Sequence, residues 1–383
     1  MKMDLNKIPS PCFVLDEGLL EANLEKINHV QEAAGVDIIL ALKGYAMWHT
    51  FPLIHKYLKG AAASSVNEAL LVNKKMGCKA HTYAPAYNDV DFKKLLALSS
   101  YITFNSLTQY KRFINTESPD KKPLYGLRIN PQYSEVETAL YNPGLPDSRL
   151  GITADELGVM IPEGITGLHF HLLCENDSYV LERTLKAVEK RFSPLLKKIK
   201  WLNMGGGHLI THKDYDIPHL IKIIKSFKQR YDNIEKIIIE PGGAIGWQTG
   251  YLVATVEDII EKTHFKWAML DLSFAAHMPD CLEMPYKPAI YGADDGHNKK
   301  KHIYRIGGNT CLAGDFMGMG DYGFNKELNI GDKIVFMDMM HYTMVKTTFF
   351  NGVNHPDIGI WTKKNSFKLL RSFGFEDYKN KLS

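Results

Sequence analysis

The stretch Ile38-Ile-Leu-Ala-Leu-Lys43 decides how the rest of the chain is interpreted. An unbroken apolar run rich in Ile and Leu is typical of a strand that is buried on both faces. The run ends abruptly on Lys43, which Gly44 follows. A lysine at this place either extends its amine to solvent or lies in a dry site. In a dry site, desolvation and cationic neighbours lower the pKa of the amine and make it a nucleophile.

From Val36 onward, apolar strands alternate with amphipathic helices, of which the clearest are Val66–Met76, Val180–Ile199 and Ile217–Tyr231. Eight strands, each followed by a helix or loop, predict an α/β fold of the (β/α)8 TIM-like barrel type. The predicted strands are Val36–Leu42, Gly60–Ser65, Lys79–Ala84, Tyr101–Phe104, Leu124–Asn130, Ile165–His171, Ile199–Met204 and Lys236–Glu240.

After Gly242 the pattern becomes β-rich, with turns made of Gly, Asp and Pro. This predicts a second, C-terminal domain of β-barrel or sandwich type. An N-terminal strand at Pro11–Leu15 is expected to belong to it. We therefore predict a barrel over 30–250 and a β-rich domain made of 1–29 and 251–383. The predicted strands of the second domain are Tyr251–Ile260, Lys266–Leu272, His302–Ile306 and Asp332–Met340.

The composition of the 383 residues narrows the class of protein. Apolar residues make up 45% and charged residues 23%, as in an ordinary globular protein. A formal charge of +3 indicates no nucleic-acid partner, and no apolar run predicts a membrane span. The cysteines are odd in number and lack CxxC pairs, which predicts reduced thiols in a cytoplasm and no structural metal site. They are Cys12, Cys78, Cys174, Cys281 and Cys311.

Polar or glycine residues end six of the predicted barrel strands. Because the carboxyl ends of barrel strands surround one shared opening, where the chemistry of such barrels takes place, we expect these residues to meet there. They are Lys43, Ser65, Arg128, His171, Gly205-Gly-Gly207 and Glu240-Pro-Gly242-Gly243.

The last two of these segments carry the strongest chemical indications. Gly205-Gly-Gly207 allows backbone N–H groups to approach a phosphate, although three glycines also make a flexible turn. Phosphate sites recur at the loops after strands seven and eight of barrels. Glu240 offers a carboxylate that could pair with a protonated ring nitrogen, or could form a salt bridge with Arg128 that closes the barrel.

His169 and His171 lie two residues apart on a predicted strand, so both side chains point to the same side. This spacing also occurs among the zinc ligands of barrel hydrolases. Later strand ends offer no clear further ligands, and we interpret His169 as a core histidine. Cys311, in a turn-rich segment of the second domain, could donate a proton, although a lone cysteine is usually core filler.

The ordered set of motifs resembles the fold type III, or alanine racemase-like, pyridoxal-phosphate decarboxylases. Members of this family act on ornithine, arginine, diaminopimelate and carboxynorspermidine. The resemblance covers nearly the whole chain. It rests on Ala41-Leu-Lys43, Ser65-Val-Asn-Glu68, Leu127-Arg-Ile-Asn130, Ser148-Arg-Leu-Gly151, Gly167-Leu-His-Phe-His171, Asn203-Met-Gly-Gly-Gly207, Glu240-Pro-Gly242, Asn309-Thr-Cys311 and Tyr342.

Within the family, the details resemble the carboxynorspermidine/carboxyspermidine branch. The ornithine and diaminopimelate branches usually have Gly-Ser after the ring-stacking histidine and Arg after Glu-Pro-Gly, whereas this chain has Leu172-Leu and Gly243. The segment that begins at Ala276 provides Asp280 and Glu283 where the diaminopimelate branch places an arginine. Two acids suit the distal ammonium of a polyamine, or are only solvated loop charges.

The resemblance implies pyridoxal 5′-phosphate on Lys43, with His171 stacked on the ring, Glu240 at the ring nitrogen and Cys311 as the proton donor. It also implies a homodimer with shared active sites, because in this family the cysteine loop reaches the barrel of a neighbouring subunit. The cofactor site would comprise Lys43, Ser65, His171, Gly205, Gly206, Gly207, Glu240, Gly242 and Tyr342. The substrate site would comprise Asp280, Glu283, Asp315 and Arg128.

The expected activity is decarboxylation of carboxynorspermidine or carboxyspermidine to norspermidine or spermidine. Alternatives within the family are a diaminopimelate or arginine decarboxylase, or a racemase, which would need a second base. Outside it stand a metal-dependent barrel hydrolase and a non-catalytic cofactor binder. The two polyamine substrates differ by one methylene, which is worth only about 1–3 kcal/mol in a binding site.

Overall fold

The computed structural model describes residues 3–118, 122–295 and 302–383. The chain divides into one unit made of residues 23–245 and another made of 1–22 and 246–383. The boundary falls inside the helix Glu17–Ala34, which follows the N-terminal strand. Each unit is built around its own sheet.

The sheet of the first unit is parallel and closes on itself, which confirms the predicted barrel. The first of its eight strand positions is interrupted at Ile39 and consists of two short strands. Asp37–Ile38 pairs with Lys236–Ile239, and Leu40–Ala41 pairs with Ala61–Ala63. The strands that complete the circle are Ala80–Tyr83, Ser99–Phe104, Leu124–Arg128, Ile165–His169 and Trp201–Asn203.

The barrel helices begin at polar residues that cap them. Ser65, Ser106 and Asp177 each accept a hydrogen bond from the backbone N–H three residues ahead. The helix predicted over Val66–Met76 is α-helical only to Leu71 and continues as a π-helix. The helices of eight or fewer residues are Phe51–Tyr57, Val66–Leu71, Leu107–Phe113, Ala154–Leu157 and Gly243–Gly246, and the longer ones are Asp89–Leu98, Ser178–Leu196 and Ile217–Arg230.

The lower part of the barrel interior is filled by one large ring. Gly126, Gly167 and Trp201 lie level on three neighbouring strands. A Cβ on Gly167 would come within 2.0 Å of the Trp201 indole, and one on Gly126 within 2.4 Å. The indole therefore lies flat over both glycines, where no larger residue fits. Tyr101 contacts the same ring edge-on, with centroids 5.0 Å apart.

The second unit contains a mixed sheet centred on the strand Gly250–Glu261. The N-terminal strand Cys12–Asp16 pairs antiparallel with it, with Cys12 opposite Val253, and parallel with Asp357–Trp361. The remaining strands are Lys266–Leu270, Ala293–Asp294, His302–Gly307, Tyr322–Phe324, Lys333–Met337 and Phe367–Arg371.

All four strands predicted for this region are present, which confirms its β-rich character. The strands of the described residues that were not predicted here are Ala293–Asp294, Tyr322–Phe324, Asp357–Trp361 and Phe367–Arg371. Short helices lie at Phe274–His277, Pro279–Glu283 and Phe375–Leu382. Among the described residues, no helix combines the length and apolar character needed to cross a membrane.

Candidate active site

The strand register places a layer of polar side chains in the barrel interior, directly above Trp201. Arg128 pairs with His169, and His169 pairs with Asn203, so the three side chains lie side by side on the interior face. Asn203 also pairs with Ile238. Glu240 is two residues beyond Ile238 and therefore points to the same interior.

Lys43 lies in the turn that directly follows Leu40–Ala41, at the carboxyl end of the split strand position. Gly44 and Gly242 lie in direct contact behind it, since a Cβ on Gly44 would come within 2.9 Å of the Gly242 Cα. The Lys43 side chain is accessible to solvent. Its pKa is lowered, mainly because the surrounding protein desolvates the ammonium and also because Arg128 is near.

The Glu240 carboxylate is held at one oxygen. Asn203 donates a hydrogen bond from Nδ2 to Glu240 Oε1, while its own Oδ1 accepts the Gly205 N–H at 2.8 Å. Burial raises the pKa of Glu240, and the bond from Asn203 and the charges of Arg128 and Lys43 partly offset this rise. The Asn203 role was not predicted. Its position two residues before the glycine turn, on an interior-facing strand site, is the signal that could have found it.

Arg128 does not form the salt bridge with Glu240 that one interpretation of the sequence required. Its guanidinium lies over the Tyr83 ring, 4.7 Å from the centroid, and donates a hydrogen bond to the His171 carbonyl at 3.3 Å. The Tyr83 hydroxyl in turn donates to Asn105 Oδ1 at 2.7 Å. Arg128 is thus anchored in the barrel wall and contributes positive charge to the interior.

The glycine turn brings His171 into a fixed orientation. Gly206 donates its N–H to His171 Nδ1 at 2.9 Å, which places the proton of the neutral ring on Nε2. The pKa of His171 is far below its ordinary value because of burial and then the nearby Lys43 and Arg128. The ring is therefore neutral at physiological pH.

Only glycine fits the turn that follows Asn203. Gly205 and Gly207 have positive φ angles of 69° and 84°. A Cβ on Gly207 would lie 2.0 Å from the Leu173 carbonyl oxygen. Two of the three N–H groups expected to face a phosphate are bound by Asn203 and His171. The Gly207 N–H has no acceptor among the described residues.

Ser65 serves locally as a helix cap. Its Oγ accepts the Glu68 N–H at 3.2 Å. Glu68 reaches back to the Ser64 N–H at 2.6 Å, and its pKa is raised by burial, with the Ser64 bond and Lys43 opposing the rise. Ser65 keeps its hydroxyl proton as a donor at the end of the second strand position.

In the second unit, Asp280 is a buried carboxylate that is satisfied on one side only. Its Oδ2 accepts from the Tyr286 hydroxyl at 2.7 Å and from Thr343 Oγ1 at 2.8 Å. Its Oδ1 has no hydrogen-bond partner in the part of the chain that the structure describes. Glu283, by contrast, is exposed and forms an ion pair with Lys346. Of Asp280 and Glu283, only Asp280 has a buried acceptor to offer.

Asp315 has the opposite environment. Its Oδ1 accepts from Ser273 Oγ and the Ala275 N–H, and its Oδ2 accepts from the Thr310 N–H and hydroxyl. The loop thus held presents Cys311, which is exposed and donates its backbone N–H to Asn351 Oδ1 at 2.7 Å. Tyr342 adopts a positive φ of 41° directly before Thr343.

A parallel barrel with an accessible lysine of lowered pKa, a hydrogen-bonded carboxylate and a neutral histidine at its carboxyl end defines a cofactor-dependent barrel enzyme. Within 3–118, 122–295 and 302–383, no three His, Cys, Asp or Glu side chains converge in a way that could hold a metal ion. The model of a family described as "Pyridoxal-dependent decarboxylase, C-terminal sheet domain" matches residues 12–340, and the chain belongs to this family. It is a carboxy-lyase of that family.

Three proteins illustrate the similarity. A carboxyaminopropylagmatine decarboxylase from Synechocystis is 50% identical over 99% of this chain and 96% of its own length. A carboxynorspermidine/carboxyspermidine decarboxylase from Campylobacter jejuni is 41% identical over 98% of this chain and 99% of its own. The crystal structure of carboxynorspermidine decarboxylase from that organism, in complex with norspermidine, matches with a TM-score of 0.90 at 39% identity and covers 98% of this chain and 100% of that one.

The residues at the barrel opening fit pyridoxal phosphate. The Lys43 residue is accessible to solvent, and the pKa of its amine is lowered, mainly by desolvation. Glu240 offers a carboxylate that Asn203 orients, and the Gly207 N–H is a backbone donor without an acceptor in the described chain. A nucleophilic amine, a carboxylate for a ring nitrogen and a donor for a phosphate are the three groups that this cofactor requires.

Proposed function

We propose that this chain decarboxylates a carboxylated polyamine, carboxynorspermidine or carboxyspermidine, to give norspermidine or spermidine. The observation that carries the chemistry is the Lys43 amine at the barrel opening, with its lowered pKa, near the Glu240 carboxylate that Asn203 holds. The observation that favours the substrate class is the similarity to proteins named for these substrates along nearly their whole length.

Each residue of the barrel has one task in this proposal. Lys43 holds the cofactor covalently, and a bound pyridoxal phosphate supplies the electron sink for the electron pair that the departing carboxylate leaves behind. Glu240 would keep a proton on the ring nitrogen of a bound cofactor by its negative charge. The neutral His171 ring, which the Gly206 N–H orients, would stack on the cofactor ring.

The phosphate group would be held by the glycine turn, Gly242, Ser65 and Tyr342. Gly207 offers its N–H directly, whereas Gly205 and Gly206 act mainly by orienting Asn203 and His171. Ser65 contributes its hydroxyl proton. The absence of an arginine after Gly242 in this sequence places more of the phosphate binding on backbone donors.

Asp280, Arg128 and Cys311 are the residues proposed to face the substrate. The unpartnered Oδ1 of Asp280 suits a cationic end of the substrate, and Arg128 suits its carboxylate. Cys311, exposed on the loop that Asp315 shapes, is the proposed donor of the proton to the substrate carbon. Asp315, which the sequence analysis placed in the substrate site, already accepts four hydrogen bonds, and we propose that it holds that loop.

We infer that two copies of the chain form a homodimer in which the Cys311 loop of one copy serves the barrel of the other. Size-exclusion chromatography with light scattering tests for the dimer. Restored activity on mixing a Lys43 variant with a Cys311 variant tests the shared site.

We also infer a cytoplasmic location. All five cysteines are free thiols, as a reducing compartment requires.

A second candidate substrate is carboxyaminopropylagmatine, and the 50% identity to the Synechocystis protein favours it. Its guanidinium end is planar and can bind both oxygens of a carboxylate at once, whereas an ammonium is a point charge. Asp280 has only one oxygen open, because Tyr286 and Thr343 occupy the other. This geometry suits a single contact, and therefore an ammonium end.

The deciding experiment is CO2 release from a panel of carboxynorspermidine, carboxyspermidine, carboxyaminopropylagmatine, diaminopimelate, ornithine and arginine. We expect the highest kcat/KM for one of the first two. Preference for the guanidino compound would replace the proposed substrate, and turnover of none of them would refute the function. Borohydride reduction followed by mass spectrometry should locate the cofactor on Lys43, and a label elsewhere would contradict the proposed site.

A further inference from the structure

The two oxygens of Glu240 have different environments. Asn203 donates to Oε1, but Oε2 faces His169, with 4.0 Å between Oε2 and His169 Nε2. This separation is too long for a direct hydrogen bond. It is short enough for one water molecule, placed about 2.8 Å from each atom, to bridge them.

His169 is a buried histidine whose ring makes no hydrogen bond within the described part of the chain. Its side chain is 3% exposed, and neither ring nitrogen has a partner among the described residues. The ring is fixed by the strand register and by an edge-on contact with Tyr83, whose centroid lies 5.4 Å away. Buried polar atoms are nearly always satisfied, by protein or by ordered water. The 4.0 Å approach of Nε2 to a carboxylate oxygen makes it the ring nitrogen for which a bridging water has a second partner.

A small polar cavity lies beside this pair. It offers about 10 Å³ for the centres of water molecules, and its lining includes His81, His169, Asn203 and Glu240. That volume is close to the minimum that one water requires, and buried waters need two to four polar partners. An empty cavity of this size would be expected to be apolar instead.

We propose that one buried water joins His169 Nε2 to Glu240 Oε2, and that His169 acts through this water as a positioning residue for the Glu240 carboxylate. The Nε2–H of His169 donates to the water, and the water donates to Oε2. Asn203 and the water then fix both oxygens. The catalytic part of this inference rests on the proposed role of Glu240.

Electrostatics supports this direction of donation. Burial and the nearby Arg128 hold the pKa of His169 well below its ordinary value, so the ring is neutral and has one N–H to donate. The charged groups that act on Glu240 from neighbouring elements are Arg128 and Lys43, which favour the anion, against burial, which opposes it. A second donor at Oε2 adds to the stabilisation of the anion.

The first test is a high-resolution crystal structure of the full chain without cofactor. We expect a density peak within hydrogen-bond distance of both His169 Nε2 and Glu240 Oε2. A dry cavity, or a direct contact between the two side chains, would overturn the proposal.

The second test measures the protonation of Glu240 by infrared difference spectroscopy of the cofactor-free chain, with Glu240→Gln to identify the signal. His169→Phe should raise the pKa of Glu240 by about one unit, since a hydrogen bond to the charged form is lost. His169→Gln, which retains a donor, should restore it. Equal pKa values in wild type, His169→Phe and His169→Gln would refute the positioning role.

His81→Phe is the matched control, because His81 lines the same cavity and stacks on Tyr101 with centroids 4.2 Å apart. It should leave the pKa of Glu240 unchanged, and a shift as large as that of His169→Phe would place the water elsewhere. If His169→Phe does not fold, the density at the wild-type site and the pKa of Glu240 in His169→Gln still test the proposal. Both tests use the cofactor-free chain, so failure of decarboxylation would not affect them.

Discussion

Two levels of the barrel interior, two residues apart on the same strands, have opposite characters. The lower level contains Gly167 and Trp201, where one indole fills the space between glycines. The upper level contains His169 and Asn203, and Asn203 donates a hydrogen bond to Glu240, which lies two residues beyond the Ile238 that pairs with Asn203. Height along a strand, and not the identity of the strand, therefore separates packing from chemistry in this fold.

The same contrast separates two buried aspartates of the second unit. Asp315 accepts four hydrogen bonds and holds a loop. Asp280 accepts two at one oxygen and none at the other from the described residues. A saturated carboxylate contributes to structure, whereas a half-satisfied one has free capacity for a ligand. Both aspartates look alike in the sequence.

The largest expected effect on activity comes from Lys43 at the barrel opening. Lys43→Met should abolish CO2 release, because it removes the amine that would hold the cofactor covalently. The unfolding free energy of the cofactor-free chain should not decrease, since Lys43 lies at the end of its strand and is accessible. The measurement is CO2 release at saturating substrate together with urea unfolding. Residual turnover above background would contradict the role of Lys43.

The next largest effect belongs to the lower level. Trp201→Ala should reduce the unfolding free energy by about 3–5 kcal/mol, as for other buried aromatic residues. The cavity remains because Gly126 and Gly167 cannot fill it. Equilibrium urea unfolding gives the value, and turnover per folded molecule should change much less. Loss of turnover without loss of stability would show that the two levels are not separate.

The two aspartates give a matched pair of intermediate effects. Asp280→Asn should raise KM for a polyamine substrate about tenfold, because a charged contact worth about 1.4 kcal/mol is lost. Asp315→Asn should instead destabilise the chain by about 1–3 kcal/mol, since an amide cannot accept all four hydrogen bonds. Steady-state kinetics and thermal unfolding of both variants are compared. Glu283→Gln, next to Asp280 but paired with Lys346, serves as the control and should leave KM nearly unchanged.

The smallest effect concerns pH. The pKa of Lys43 is lowered from 10.5 in the folded chain, so the folded state binds this proton less tightly than the unfolded state does. Charging Lys43 therefore costs stability below its folded pKa, and the cost disappears as the pH rises above the unfolded value. Lys43→Met should be more stable than wild type at neutral pH, and this gain should shrink towards alkaline pH. Urea unfolding of both proteins from neutral to alkaline pH measures this gain, and a gain that does not change with pH would contradict the lowered pKa of Lys43.

Much of the fold could be predicted because periodic apolar patterns are local. All eight barrel strands were predicted, although several are shorter at the carboxyl end, as with Ile165–His169 against the predicted Ile165–His171. There the chain leaves the ladder to form the opening. Asp357–Trp361 and Phe367–Arg371 were missed because short strands with a central glycine or a charged outer face carry little periodic signal.

The sequence by itself determined the residue types at the strand ends, and with them the lysine, the carboxylate and the glycine turn that the family shares. Only the tertiary structure decided which of these groups are already occupied. Asn203 holds Glu240, Arg128 lies over Tyr83 instead of pairing with Glu240, and His169 has no partner among the described residues. The physical reason is that hydrogen bonds between strands depend on register and distance in space, which residue spacing along the chain does not contain.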